Sequence, residues 1–148
     1  MRGGARPLAH PPVPARLRVG EVRFAGYASV FDRVDRGGDV VRAGAFAASL
    51  TAGRDVPLLW QHRAGAAIGV IETLAEDARG LRVVARVTHP TAAGLVERGA
   101  LTGLSFGYRV RASRGDRPRE LLALDLVEVS LVAAPMQPAA RVIKVVKE

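Results

Sequence analysis

Gly103-Leu104-Ser105-Phe106-Gly107-Tyr108 is the stretch on which the reading of this chain turns. Leu104, Phe106 and Tyr108 alternate against Ser105, Gly107 and Arg109, the period of two that marks a β-strand with one apolar face. Ser105 falls on the opposite face, between glycines that leave its hydroxyl uncrowded. The segment also fits G-x-S-x-G, the pattern of the α/β-hydrolase nucleophile elbow. That elbow needs a helix directly after the serine and a histidine later in the chain. Here Tyr108-Arg109-Val110-Arg111 continues as strand, and His10, His62 and His89 all precede Ser105. The elbow reading fails. A nucleophilic Ser105 requires a base placed before it.

Working outward, alternation predicts strands over 22–31, 68–74, 81–87, 121–132 and 142–146, with a short apolar run at 56–60. The segments 68–74 and 81–87 flank an acidic turn and form a hairpin. In the long strand, Leu122, Leu124 and Leu126 alternate against Asp125, Val127 and Val129. A polar turn carries Asp32, Asp35, Gly37, Gly38 and Asp39. Alanine-rich 43–50 and the stretch from Pro90 to about Gly99 predict two short helices. Many short strands with two short helices indicate a mainly β (α+β) domain, an antiparallel β-barrel or strongly curved sheet with peripheral helices. Residues 1–20, rich in Pro, Arg and Gly, read as a flexible arm, and 21–148 as one domain.

The chain has 148 residues and no cysteine, which excludes disulfides, thiolate metal sites and a cysteine nucleophile. No apolar run reaches the roughly 18 residues that span a bilayer, and prolines interrupt the basic N-terminus, so neither a membrane span nor a signal peptide is expected. The net charge of +8 comes almost entirely from arginine. Asparagine is absent, a bias that a GC-rich genome explains without reference to a partner. Apart from Arg109, Arg111, Arg114, Arg117 and Arg119 the arginines are scattered, which argues against a nucleic-acid partner. Histidine spacing supports no metal site, and no cofactor motif is present.

A serine hydroxyl needs a histidine to take its proton, and the histidine needs an acceptor to fix its tautomer. His62 closes an apolar strand just after Trp60 and is the preferred base. His10 lies in the arm; His89 precedes Pro90 at a helix start, where capping accounts for it. Glu128 is a carboxylate inside Leu126-Val127-Glu128-Val129-Ser130-Leu131-Val132, the most apolar stretch, where an unpaired charge is costly. Asp125 and His89 compete for the third role, and Glu128 has an alternative partner across the sheet in Arg109.

Several segments, in order, resemble the prohead (capsid maturation) proteases of tailed phages with HK97-type capsids, including those of phage-like gene transfer agents. They are Gly26-Tyr27-Ala28-Ser29-Val30-Phe31, Gly37-Gly38-Asp39-Val40-Val41, Gly44-Ala45-Phe46, Leu59-Trp60-Gln61-His62, Ile68-Gly69-Val70, the Ser105 stretch, and Glu128-Val129-Ser130-Leu131-Val132. The resemblance implies a serine endopeptidase on a herpesvirus-assemblin-like barrel, with His62 as base, Ser105 as nucleophile and Glu128 as third member. It further implies cleavage of the scaffolding segment of the major capsid protein, autocleavage, a possible homodimer, no membrane partner, and residence in the bacterial cytoplasm inside assembling proheads. Activity is expected to fall on the acidic side of the histidine titration, since the base must be neutral. Two departures stand out: a short helical segment between Thr88 and Gly99, and Met136-Gln137-Pro138 where the family commonly has Ala-Asn-Pro. The alternatives are a non-enzymatic capsid-assembly or scaffold protein, and a basic nucleic-acid-binding barrel.

Overall fold

The computed structural model describes residues 15–147; the expected arm over 1–20 lies largely outside them, as does His10. The elements run β1 (Val22–Val30), β2 (Asp39–Val41), α1 (Ala47–Ala52), β3 (Leu58–Trp60), β4 (Ala67–Glu76), β5 (Gly80–Val87), α2 (Pro90–Glu97), β6 (Gly103–Arg114), β7 (Arg119–Val132) and β8 (Val142–Lys147). Eight strands form one sheet in the order β2-β7-β3-β4-β5-β1-β8, with β6 on β7. The sheet curls until its ends meet. Leu104 N donates to Ala140 O and Val142 N to Thr102 O, so the start of β6 touches the lead-in to β8. The architecture is the expected one: mainly β, barrel-like, with short helices outside. Among the described residues no helix is long and apolar enough to cross a membrane.

Most neighbouring strands are antiparallel, but β2 and β3 run parallel to β7. β6 pairs along nearly the whole length of β7, from Glu120 to Val132. The two short strands therefore share the other edge of β7, β2 beside Arg119–Leu121 and β3 beside Val129–Leu131. Strands of three residues carry no readable period. For β2, the sequence shows only the tail of a polar turn.

One irregularity decides where Glu128 points. Gly107 pairs with Glu128 and Tyr108 with Leu126, which leaves Val127 as a β-bulge, exposed and without a partner on β6. Before the bulge, Leu124 and Leu126 face the core; after it, Val129 and Leu131 do. The regular alternation read from sequence, which groups Val129 with Asp125 and Val127, is therefore corrected at Val127. Unbroken, it would carry Glu128 into the core beside Leu124 and Leu126. The bulge turns it to the other face.

Helix α1 is shorter than its alanine-rich sequence suggests because Gly44, at φ +90°, holds a non-helical conformation. Its N-terminus has no local side-chain cap. Glu76, from the end of β4, instead accepts hydrogen bonds from Gly44 N and Phe46 N at 2.8 Å each. Phe46 is fully buried and meets Phe106 edge-on, with ring centroids 5.2 Å apart. This contact anchors α1 against β6, one residue from Ser105.

Candidate active site

Directly opposed residues of an antiparallel pair project their side chains on one face. Ser105 opposes Ser130 and Gly107 opposes Glu128, so a serine, a second serine and a carboxylate share the face turned away from the core. β3 delivers the histidine. Lying parallel to β7, with Leu59 beside Ser130 and Trp60 beside Leu131, it ends where its next residues fold back over that face.

The fold-back is made by Gln61 and His62, both left-handed, with φ of 49° and 61°. Two successive non-glycine residues in this region cost about 1–2 kcal/mol each. Hydrogen bonds hold them there: Gln61 N to Leu131 O, His62 N to Ser130 Oγ, and Ala133 N to Gln61 Oε1. Such strain, held by the surroundings at a loop that carries chemistry-bearing residues, is characteristic of a functional site.

His62 Nδ1 lies 2.5 Å from Glu128 Oε2. An ionised carboxylate only accepts, so a hydrogen bond here puts a proton on Nδ1, and in the neutral ring Nε2 is then the proton acceptor. Glu128 is buried while the His62 side chain is 43 % exposed, so the carboxylate is shielded and the imidazole reaches solvent. Ser105 is itself largely buried, and with His62 it walls a cavity of about 130 Å³ beside Ala28, Val41, Met136 and Gln137. His62 also lines a second cavity, with Leu59, Ala67, Tyr108, Val127, Arg109 and Glu128. The structure thus brings His62, Ser105 and Glu128 together.

The competitors are occupied elsewhere. Asp125 pairs with Arg111 at 3.0 Å. His89 caps α2, its Nδ1 facing Ala92 N. Arg109 opposes Asp125, not Glu128. Of the clustered arginines, Arg111, Arg114 and Arg119 are bound to Asp125, Glu120 and Asp39, which removes much of the field a nucleic acid would meet. Among the described residues no group of three or more ligating side chains is arranged to hold a metal ion.

Two residues to which the sequence reading gave no role shape the site. Ser130, fully buried, bridges His62 and Glu128. Gln137, the departure at Met136-Gln137-Pro138, accepts from Val30 N and donates to Val30 O, each at 2.6 Å. It pins the wall of the Ser105 cavity to the end of β1. For Ser130 a signal existed: period two places it on the same face as Glu128. For Gln137 no local pattern exists, since its partner is 107 positions away.

A family model for caudovirus prohead serine proteases matches residues 13–148. The chain belongs to that family. As a member, it is 37% identical over 94 residues to the prohead protease of Enterobacteria phage HK97, covering 59% of this chain and 42% of that protein. The chain thus spans less than half the length of this relative. Among solved structures, this prohead protease family member resembles a KSHV protease bound to a hexapeptide phosphonate inhibitor (TM-score 0.54, 15% identity, 86% of this chain and 66% of that one). It also resembles the varicella-zoster virus protease (TM-score 0.55, 16% identity, 82% and 63%). At such identities the likeness establishes a shared fold, the assemblin-like curled barrel expected from the sequence.

Proposed function

We propose that this chain is a serine endopeptidase that cuts the scaffolding segment of the major capsid protein, and itself, inside assembling proheads. Membership of the prohead protease family supports the reaction class and the substrate. The observation that carries the site assignment is the 2.5 Å contact between His62 Nδ1 and Glu128 Oε2, with Ser105 in the wall of the cavity that His62 also lines. In this reading Ser105 Oγ attacks the peptide carbonyl carbon and His62 Nε2 takes the hydroxyl proton. Glu128 holds the ring and stabilises the imidazolium. The same nitrogen then protonates the leaving amine, and a water repeats the sequence on the acyl-enzyme. A second cavity along His62, lined by Leu59, Ala67 and Val127 together with Arg109 and Glu128, provides room for a bound peptide.

Co-expression with the cognate capsid protein tests the proposal. Wild type is expected to shorten the capsid protein, and Ser105→Ala to leave it at full length. Unchanged processing by Ser105→Ala would favour a scaffold role and reject the protease. Salt-dependent DNA binding that disappears on replacing Arg109 and Arg117 would favour the nucleic-acid reading instead.

A further inference from the structure

We infer that Ser130 is a positioning residue of this site, a single oxygen atom that fixes Glu128 and His62 relative to each other. The inference rests on the serine-protease reading above. Ser130 Oγ accepts from His62 N at 3.0 Å and donates to Glu128 Oε1 at 2.7 Å. Glu128 Oε2 in turn meets His62 Nδ1 at 2.5 Å, which closes a ring of three contacts among three residues.

A serine hydroxyl has one proton to give. Because the His62 amide donates to Oγ, the hydroxyl proton is left for the carboxylate, and the ring has one consistent direction. Each bond removes a different freedom. The bond from His62 N holds the left-handed backbone from which the imidazole projects. The bond to Oε1 stops rotation of the carboxylate, so that Oε2 stays aimed at Nδ1. Ser130 also opposes Ser105 across the ladder and is fully excluded from solvent, so water cannot readily replace its hydroxyl. Two groups that a triad must keep in register, and that come from different strands, are thereby tied to one atom on the strand next to the nucleophile. Ser130 touches no reacting atom itself.

The test uses the full chain, a fluorophosphonate probe that labels an activated serine, and a fluorogenic peptide spanning the cleaved capsid-protein junction. Ser130→Ala is expected to lower both the labelling rate and kcat by on the order of tenfold to a hundredfold. KM should hold, and the downfield Nδ1–H resonance of His62 should broaden or vanish. Ser130→Thr, which keeps the hydroxyl, should restore the resonance and most of the rate. Ser130→Cys, which keeps the volume with a weaker donor, gives the same comparison if the alanine variant does not fold. Wild-type kcat in Ser130→Ala overturns the inference, as does a lowered kcat with the resonance intact. Ser105→Ala separates the two levels: continued peptide cleavage there rejects Ser105 as the nucleophile and with it the site reading, whereas an inert Ser105→Ala beside a fully active Ser130→Ala rejects only the role of Ser130.

Discussion

Gly107 lies across the β6–β7 ladder from Glu128, and a Cβ at that position would stand 2.4 Å from Glu128 Oε2 and 3.0 Å from its Cδ. The second glycine of the G-x-S-x-G match is thus the space in which the carboxylate sits. Gly107→Ala should push Oε2 off His62 Nδ1. A misplacement of about 1 Å costs on the order of a hundredfold in rate. The expected outcome is a kcat loss of that size with a small fall in melting temperature; full activity with an unchanged melt would disconnect Gly107 from the site.

Glu128→Gln keeps the shape of the side chain and removes its charge. The amide oxygen can still accept from Nδ1, but it no longer stabilises an imidazolium, and its NH₂ competes for the wrong contact. Loss of the carboxylate from a triad of this kind costs on the order of a hundredfold to ten-thousandfold in kcat. Steady-state kinetics on the fluorogenic peptide measures it. Retained activity would strip Glu128 of the third role.

Gln137→Leu tests the wall of the Ser105 cavity. It leaves the amide and carbonyl of Val30 buried without the partners they have at 2.6 Å. At about 1–3 kcal/mol for each of the two unsatisfied groups, the urea unfolding midpoint should fall by the equivalent of about 2–6 kcal/mol. An unmoved midpoint would mean that the amide does not hold this wall.

Acid should destabilise the fold through its surface ion pairs. Arg114 and Arg42 hold the Glu120 carboxyl down at about 2, from an ordinary value of 4.5. Arg23 lowers Glu72, and the Tyr27 hydroxyl lowers Asp77. A carboxylate with a depressed folded value contributes stability above its unfolded value and loses it as pH falls through the folded one. Melting temperature is therefore expected to decline between about pH 4.5 and about pH 2. Glu120→Gln should lower it at neutral pH and flatten that decline; an equally steep decline in the variant would remove Glu120 from the account.

Local patterns carried much of the fold. The alternation around Ser105, the hairpin made by β4 and β5, and the Pro90 helix start all depend on residues a few positions apart, and each is where the sequence places it. The chemical inventory was equally legible, since a histidine after a strand and a glutamate in an apolar run are composition and order. Ser130 was legible only in part, through its shared face with Glu128. The parallel pairing of β2 and β3 with β7 had no local signal, because strand partners are chosen by the whole sheet.

By itself, the sequence determined which residues were available: a serine on an uncrowded strand, a histidine before it and a carboxylate after it, in a chain without thiols. Only the tertiary structure decided that the histidine and the carboxylate touch and that the serine walls the same cavity as the histidine. The bulge at Val127 turns Glu128 away from the core, the left-handed pair at Gln61 and His62 folds the ring over β7, and Gly107 leaves the carboxylate its space. Each of these depends on how strands pair, β6 with β7 and β3 with β7, and a period of two cannot foretell where a ladder slips by one residue. Read locally, Gly103 and Gly107 looked like freedom around Ser105. In the sheet they are close approaches, Gly103 to Val132 O and Gly107 to Glu128, that a side chain would block.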